Sequence, residues 1–400
     1  MTTPSIRPDA PPEETSLSRK DYRLSLTAVI SCTAIAGVGL GITLPLLAVA
    51  IERMGVSSTL LGLNTAMPAL ASLIFVPIIP YLLRFIPAVP FLLTCICVST
   101  VCMITYPLFP DIGSWFIIRF INGVAIAGLF MVSETWINEL ARETHRGRMI
   151  GLYAAILSGG FALGPILLLI VGYDGIAPYV TISALIALGA IPLVMARHLA
   201  PNLVQRPNRN MLSIITLAPT AILGALMYGA LEAEMLSLMT VYGLRVGLPL
   251  DLSTLVLTIF GAGNIACQIP IGMLADRIDR RLLLLLCAGV SFLGALSLPF
   301  VITNPWIFVP TFFIFGGVVT GLYTVGLILV GQRFKGSNLA LANAAYILLY
   351  SVGSLAGPVL GGVFMDIWDP HGLAVSMVLL TGIYILLAGY RYFSSPTQKI

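Results

Sequence analysis

A short charged segment lies between two long apolar stretches in the second half of the chain. Residues 276–281 hold five charges within six positions. The stretches 255–273 and 282–306 on either side contain no charged residue. At about 1.5 Å per helical residue, each stretch is long enough to cross a hydrocarbon core of roughly 30 Å. The sequence therefore predicts a tight charged hairpin between two membrane helices.

The composition extends this conclusion to the whole chain. With 58% hydrophobic and only 10% charged residues and a mean hydropathy of +0.99, the sequence lies far outside the range of soluble domains. Cutting the chain at its apolar runs predicts twelve spans: 24–51, 58–82, 89–108, 113–139, 147–171, 175–196, 213–241, 252–275, 282–302, 306–332, 338–363 and 372–392. We therefore predict an all-α membrane protein with twelve transmembrane helices.

The distribution of positive charge predicts the orientation in the membrane. If the N-terminus faces the cytoplasm, 18 of the 21 basic residues lie in cytoplasmic segments. The opposite loops then hold only Arg53 and Arg245, and Arg119 lies within a span. Such an excess of Lys and Arg is typical of cytoplasmic loops. We expect both termini in the cytoplasm, with the polar, proline-rich residues 1–23 as a disordered tail rather than a secretory signal.

An internal repeat divides the spans into two halves. A shift of 193 positions superimposes identical residues over two spans and their loop without a gap. The matched residues of the first half are Phe120, Ile121, Gly123, Gly128, Leu129, Tyr153, Ser158, Gly160, Gly164 and Pro165. We predict two pseudo-symmetric six-helix bundles, 24–196 and 213–393, a polar linker at 197–212 and a tail at 394–400. Parallel six-span repeats are typical of transporters whose halves rock around a solute site.

Three motifs indicate a family. Residues 272–281 read Gly-Met-Leu-Ala-Asp-Arg-Ile-Asp-Arg-Arg and resemble the loop motif of the major facilitator superfamily. Residues 119–127 are similar to its fourth-helix motif, and residues 151–165 resemble the glycine motif of its drug/proton antiporters. Within the superfamily, the chain is most similar to the YcaD-like bacterial branch. The resemblance implies the fold of that superfamily and secondary active transport of a small-molecule substrate by alternating access.

The resemblance also implies that the charged hairpin takes part in conformational gating. In the first half, Leu83 stands where the repeat would place the carboxylate of Asp276, so the second half alone supplies it. We expect Asp276 to pair with the cytoplasmic ends of the tenth and eleventh spans, near Arg333 and Lys335, and to favour the outward-open state. The predicted gating residues of both halves are Gly272, Asp276, Arg277, Arg281 and Arg84.

Ionisable residues inside the spans are candidates for solute or proton binding, because such side chains cost several kcal/mol in hydrocarbon. Arg119 begins the fourth-span motif, whose arginine the resemblance associates with proton coupling in antiporters; the alternative is snorkelling to the headgroups. Glu134 either faces the same cavity or bridges to loop cations. Glu232 and Glu234 lie about 160° apart on a helix. Glu232 shares a face with Tyr228, which favours it as the proton site, unless both carboxylates are simply hydrated at a helix end.

Polar residues at helical spacing form stripes on three further faces. These stripes either line a wet cavity or form hydrogen bonds between helices. On the eleventh span the tyrosines favour the cavity, since they can stack on a flat solute. The stripes consist of Asn264 and Gln268; of Asn343, Tyr346, Tyr350 and Ser354; and of Arg119, Asn122 and Ser133, with Tyr153 as the repeat partner of Tyr346.

The sequence lacks the motifs of enzymes and ATP-driven pumps. It contains no G-x-x-x-x-G-K-[ST] loop, no H-E-x-x-H motif and no basic face for nucleic acid. We expect no enzymatic activity, no cofactor and no metal. We predict a monomer in the bacterial inner membrane, surrounded by lipid, that couples protons to uptake of a flat or amphipathic nutrient, for example a vitamin such as riboflavin. Efflux of drugs or metabolites by proton antiport is the main alternative, and an uncoupled receptor or lipid scramblase is a third.

Overall fold

The chain folds into helices joined by short loops. The structure is a computed structural model and describes residues 18–140, 146–199, 219–334 and 337–394, among which there is no strand. The helices are α1 (Arg19–Arg53), α2 (Ser58–Phe75), α3 (Ile79–Leu82), α4 (Ala88–Leu108), α5 (Ile112–Leu140), α6 (Arg146–Val171), α7 (Ala177–Leu188), α8 (Ala190–Met195), α9 (Pro219–Arg245), α10 (Leu250–Ala275), α11 (Arg280–Val301), α12 (Pro305–Arg333), α13 (Ser337–Ile367) and α14 (Gly372–Ser394). The predicted all-α class is confirmed.

The helices account for the twelve predicted spans. Within the described residues, eleven segments are long and apolar enough to cross a membrane, and the apolar part of α6, Ile156–Val171, is a shorter twelfth. Large side chains such as Ile170, Phe300 and Leu386 are mostly exposed. Because exposed apolar surface of this extent suits contact with lipid and not with water, the structure agrees with a multi-pass membrane protein.

Three boundaries differ from the sequence prediction. The second span is interrupted by a turn at 76–78 between α2 and α3, where Pro77 and Pro80 remove backbone donors. The sixth span is divided into α7 and α8 at Gly189. The first helix begins at Arg19, where Ser18 caps it by accepting a hydrogen bond from the backbone of Asp21, so residues 19–23 are helical rather than part of a disordered tail.

The two halves repeat the same helix packing. In the first half α1 packs on α6, α2 and α4 pack on α5, and α4 packs on α7. In the second half α9 packs on α13, α10 and α11 pack on α12, and α11 packs on α14. A Cβ atom on Gly164 would collide with the backbone of Gly41, and one on its repeat partner Gly357 would collide with the backbone of Ala230. The repeated glycines therefore allow the same close helix contact in both halves.

The halves meet through α2 with α13, α6 with α10, and α1 with α9. We call the side that contains the loops 54–57 and 246–249 the Glu52 end. The opposite side, which contains the start of α1 and the hairpin 276–279, is the Arg280 end. Most of the predicted linker 197–212 lies outside the described residues, as do residues 1–17 and 395–400. The proposed domain boundaries therefore remain predictions.

Candidate functional site

A cavity of about 440 Å³ lies between the two halves. Helices α1, α2 and α5 of the first half and α9 and α13 of the second half enclose it. Its lining extends from Arg119, in the part of α5 nearer the Glu52 end, to Val76, at the Arg280 end of α2. Most lining side chains are apolar. The polar and charged ones are Thr43, Thr65, Ser72, Arg119, Asn122, Glu134, Glu232, Tyr350, Ser351 and Ser354.

Helix α5 supplies the wall of the first half. Arg119 is only 3% exposed, and its Nε atom has no hydrogen-bond partner among the described residues. Asn122, almost one turn further on, accepts a hydrogen bond at its Oδ1 from Ser99 Oγ of α4 at 2.7 Å. Glu134 lies nearer the Arg280 end and is exposed. Arg119 and Glu134 thus line one cavity at different depths, whereas Ser133 is buried outside its lining.

Glu232 of α9 is the carboxylate in the wall of the second half. Its Oε1 accepts a hydrogen bond from Tyr228 Oη at 2.5 Å, and its Oε2 accepts one from Tyr350 Oη of α13 at 2.8 Å. The rings of Tyr228 and Tyr350 stack with centroids 5.9 Å apart, and Tyr323 lies 5.4 Å from the first and 5.8 Å from the second. No described cation forms an ion pair with Glu232. The polar stripes in the sequence did not identify Tyr323, because its partners lie on other helices.

A chain of hydrogen bonds connects this cluster to α10 and α12. Asn264 Nδ2 donates to Tyr228 Oη at 3.3 Å, Gln268 Nε2 donates to Asn264 Oδ1 at 3.3 Å, and Thr324 Oγ1 donates to Gln268 Oε1 at 3.3 Å. Neither amide lines the central cavity. The stripe of the eighth span therefore forms hydrogen bonds between helices, which was one of its two interpretations.

Glu234 faces the interior of the second half. It is fully buried, its Oε1 accepts a hydrogen bond from Ser376 Oγ of α14 at 2.6 Å, and its Oε2 has no partner among the described residues. A Cβ atom on Gly361 would lie 3.2 Å from the Glu234 side chain. The two carboxylates of α9 therefore occupy different environments, because positions two residues apart point to opposite sides of a helix.

The stripe on α13 is divided between the cavity and the core. Tyr350 and Ser354 line the cavity, but Tyr346 is fully buried and donates a hydrogen bond to the backbone carbonyl of Tyr323 at 2.6 Å. Tyr346 therefore follows the other interpretation of the stripe, a hydrogen bond between helices, since a backbone acceptor satisfies its hydroxyl inside the second half. The side chains of Asn343 and Tyr153 lie outside the described part of the chain.

The ion pair that the hairpin forms is within the hairpin itself, between Asp276 and Arg280. Asp276 Oδ1 lies 3.6 Å from Arg280 Nη2, and the Asp276 side chain is 76% exposed. The predicted pairing with Arg333 is absent among the described contacts, because a nearer cation is available one turn away; Lys335 lies outside the described residues. Gly272 has no neighbour within 4 Å of a Cβ position, and no ion pair is present for Arg277 or Arg281 within the described ranges. Arg84 is exposed, with its guanidinium 5.7 Å from the Tyr81 ring centre.

At the Glu52 end, polar contacts that had no sequence signal join the two halves. Arg245 binds Glu52 through two nitrogens, at 2.7 and 2.8 Å, and Asp369 through a third at 2.7 Å. Asp366 of α13 accepts hydrogen bonds from the backbone of Ser58 at 2.7 Å and of Thr59 at 2.9 Å, at the start of α2.

A further hydrogen bond at this end joins Tyr173, in the loop before α7, to Thr254 of α10. Burial raises the pKa of the Tyr173 phenol to about 12, so the hydroxyl stays protonated near neutral pH. Thr258 of α10 also donates to the Ala162 carbonyl of α6 at 3.1 Å. These hydrogen bonds between the halves lie in the half of the molecule nearer the Glu52 end.

Comparison with known proteins places the chain in a family. The sequence profile of the Major Facilitator Superfamily matches residues 29–255 and 221–399. The uncharacterized MFS-type transporter YfkF of Bacillus subtilis is 25% identical over 376 residues, which are 91% of this chain and 95% of YfkF. The uncharacterized MFS-type transporter YcaD of Escherichia fergusonii is 28% identical over 293 residues, which are 72% of this chain and 75% of YcaD. The predicted similarity to the YcaD-like branch is therefore confirmed.

Solved transporter structures share the fold. The nucleoside transporter NupG superimposes with a TM-score of 0.74 at 12% identity, over 94% of this chain and 100% of NupG. The D-xylose-proton symporter superimposes with a TM-score of 0.71 at 15% identity, over 94% of this chain and 98% of the symporter. The family profile, the relatives and the twelve-span fold agree. The chain belongs to the Major Facilitator Superfamily and is a multi-pass membrane transporter, not an enzyme.

Proposed function

We propose that the chain couples protons to the uptake of a small organic solute, with a flat or amphipathic body, across the bacterial inner membrane. The central cavity supports this proposal, because it lies between two halves that can rock against each other. The charge distribution supports an orientation with the Arg280 end in the cytoplasm. With that orientation, the conformation described above is closed to the outside by its polar contacts and open to the cytoplasm.

The observation that carries the proton assignment is the environment of Glu232. Both of its carboxylate oxygens accept hydrogen bonds from tyrosines, one on α9 and one on α13. A protonated carboxyl group carries a donor on one oxygen, and that oxygen becomes a weaker acceptor, so proton binding weakens, reverses or breaks one of these two hydrogen bonds. The loss or reversal of the bond to Tyr350 changes how α13 is held against α9. Because α13 also packs on α2 of the other half, the protonation state of Glu232 can bias the arrangement of the halves.

The tyrosine cluster and the apolar lining support a flat or amphipathic solute. Tyr350 presents its ring and hydroxyl at the cavity wall, and the wall opposite contains Asn122 and Thr43. Aromatic rings bind flat molecules by stacking, and nearby amide and hydroxyl groups supply hydrogen bonds. A flat vitamin remains our example of such a nutrient. A neutral sugar fits this lining less well, because most of the surface is apolar.

The second candidate function is efflux by proton antiport. It is favoured by the position of Arg119, the arginine of the antiporter-like motif, in the wall of the cavity. Uptake and efflux use the same cavity and the same carboxylate, and the ion and solute gradients decide the direction. A deletion strain that becomes sensitive to drugs favours efflux, whereas a growth requirement rescued by one nutrient favours uptake.

Reconstitution into liposomes tests the proton assignment. A solute is first selected by a thermal-shift screen against vitamins, metabolites and drugs, since a bound ligand stabilises the folded state by mass action. We expect a pH gradient to drive its accumulation in the liposomes. A pH-sensitive dye should report matching alkalinisation of the external medium. Glu232→Gln cannot gain or lose a proton at this site, so accumulation should fall at least about tenfold while solute exchange without a gradient persists.

Glu234→Gln is the matched control, because it makes the same chemical change two residues away and outside the cavity. It should retain pH-driven accumulation, since Gln can still accept from Ser376. Accumulation that survives unchanged in Glu232→Gln, Glu234→Gln and Glu134→Gln would reject the assignment of a proton site to any of these carboxylates. Solute movement that ignores the gradient in the native protein would reject proton coupling altogether.

A further inference from the structure

Arg119 is a buried cation in the wall of the cavity, and no described acidic residue forms an ion pair with it. Only 3% of its surface is exposed. Its Nε atom also lacks a hydrogen bond within the described part of the chain. Since a guanidinium group remains charged at all accessible pH values, Arg119 brings a full positive charge to an otherwise mostly apolar surface. Such a charge is costly unless an anion approaches it.

No carboxylate among the described residues forms an ion pair with Arg119 in this conformation. Glu134 lies on the same helix but fifteen residues away, about 22 Å along the axis. Both oxygens of Glu232 accept hydrogen bonds from tyrosines. Four carboxylates at the Glu52 end already have partners of their own: Glu52, Asp174, Asp366 and Asp369. The counter-charge is therefore to be sought outside the chain.

Other buried polar groups lie at the level of Arg119. A Cβ atom on Gly123 of α5 would collide with Pro68 of α2, so these two positions are in contact. Arg119 and Asn64 each precede one of these positions by four residues, which places both about one turn nearer the Glu52 end. Asn64 is fully buried with both side-chain polar atoms unpaired among the described residues, and the buried hydroxyl of Tyr106 lies beside Arg119. Asn64 and Tyr106 lie behind the cavity lining, and Arg119 is the member of this group that reaches the cavity. Because buried polar groups are normally paired, Arg119 is suited to binding a polar group of a ligand.

We infer that Arg119 binds a carboxylate-type group of the transported solute, and that the solute is an aromatic monoanion. This inference rests on the proposed function only in taking the cavity as the transport route. Arg119 is the one cation among the described lining residues, while Glu134 and Glu232 also line the cavity. A dianion would meet two carboxylates and a single guanidinium. A monoanion can place its charge at Arg119 and its ring toward Tyr350. The anion then neutralises Arg119, and a proton neutralises Glu232.

Three probes of similar shape test the inference: 2-naphthoate, 2-naphthamide and 2-naphthylmethylamine. Their apparent dissociation constants are measured for the purified protein from ligand-dependent shifts in unfolding temperature, without any gradient. We expect the acid to bind at least about tenfold more tightly than the amide, because a charge-assisted hydrogen bond is stronger than a neutral one. Arg119→Gln should abolish this preference, and Arg119→Lys should retain part of it. Arg53→Gln, which removes a cation at the Glu52 end outside the cavity, should leave the preference unchanged.

Three results would overturn the inference. These are an amide or amine that binds the native protein as tightly as the acid, an acid preference that persists in Arg119→Gln, and no stabilisation by the acid at all. If Arg119→Gln does not fold, the comparison of the three probes on the native protein and on Arg119→Lys still decides whether Arg119 binds an anion. The measurement uses no pH gradient, so an absent acid preference with intact pH-driven transport rejects only the anion site. Intact acid preference without pH-driven transport rejects only proton coupling.

Discussion

The Glu52 end and the Arg280 end of the molecule use their charged residues in different ways. At the Glu52 end, Arg245 of the second half holds Glu52 of the first half through two nitrogens. At the Arg280 end, the hairpin charges remain local: Asp276 lies 3.6 Å from Arg280, and Asp279 Oδ1 accepts a hydrogen bond from the backbone of Arg281 at 2.7 Å. The end with few cations thus joins the halves, and the end with many cations stabilises its own turns.

This difference shows that the number of charges does not indicate where the halves are held together. The position of a charge relative to the interface between the halves decides its role. Arg245 is 19% exposed at its side chain and touches both halves, whereas the Asp276 side chain is 76% exposed and touches one. Loss of an exposed ion pair costs little, whereas removal of one partner from a partly buried pair leaves an uncompensated charge and costs more. The conformation described above is therefore stabilised mainly from the Glu52 end.

Removal of Arg245 should have the largest effect on the balance between the closed and the open Glu52 end. Arg245→Met leaves Glu52 and Asp369 facing each other without a cation, so the Glu52 end should open. For a partly exposed network we expect a change of about 1–2 kcal/mol, which is roughly a five- to thirtyfold shift in the populations of the two states. Double electron–electron resonance between spin labels on the loops 54–57 and 246–249 measures the opening, in a background without the exposed Cys97.

Arg53→Met is the control for this experiment. Arg53 also forms an ion pair at the Glu52 end, with Asp174 at 2.6 Å, but both residues belong to the first half and are largely exposed. The distance distribution should therefore match that of the native protein. An equal opening in both variants would show that net charge at this end, rather than the bridge between the halves, determines the conformation.

A smaller shift is expected from the carboxylate that caps a helix of the other half. Asp366 accepts hydrogen bonds from Ser58 and Thr59 at the start of α2, and Asp366→Ala removes both acceptor oxygens. Loss of an N-terminal cap costs about 0.5–2 kcal/mol, so the closed Glu52 end should become several-fold less populated. The same spin-label distance measures it.

Asp279→Ala provides the comparison, since Asp279 caps α11 within its own half. This variant should lower the unfolding temperature without a change in the spin-label distance. If the two caps prove interchangeable, so that both variants shift the distance or neither does, the distinction between the ends fails for helix caps.

The smallest effect is expected for Asp276→Asn at the Arg280 end. Its partner in this conformation is a residue of the same hairpin, and the exposed pair contributes less than about 1 kcal/mol. We expect the spin-label distance to be unchanged. We expect the Asp276 carboxylate to reach Arg333 only when the Arg280 end closes. Its loss should therefore lower the transport rate, by no more than about fivefold. Native values for both the transport rate and the distance would identify the hairpin as an anchor for topology alone.

Much of the fold was predictable because the membrane limits the choices. Uninterrupted apolar runs can only be crossing helices, since unpaired backbone groups are not tolerated in lipid. The broken second and sixth spans were not predicted, although Pro77, Pro80 and Gly189 were visible in the sequence. Run length dominated the prediction, and an apolar run of sufficient length does not show whether its helix is continuous. The predicted hairpin at 276–279 agrees with the structure for the same reason as the helices, because its charges must lie in water.

The candidate site was only partly predictable. Helical periodicity placed Glu232 beside Tyr228 and put Glu234 on the opposite face, and the structure has both features. Periodicity also assigned Tyr346 to the same stripe as Tyr350, although the first lies in the core and the second at the cavity. A stripe spans several turns, and the neighbouring helices can cover one turn and leave the next one open.

The sequence by itself determined the number of crossings, the division into two similar halves and the face of α9 on which each carboxylate lies. Only the tertiary structure decided their partners. Asp366 meets Ser58 across 308 positions of the chain, and Glu232 meets Tyr350 across 118. The physical reason is that apolar length and helical period are properties of one segment and its solvent. A hydrogen-bond partner depends on which two helix faces pack together, and that is settled only when all the helices compete for the same neighbours.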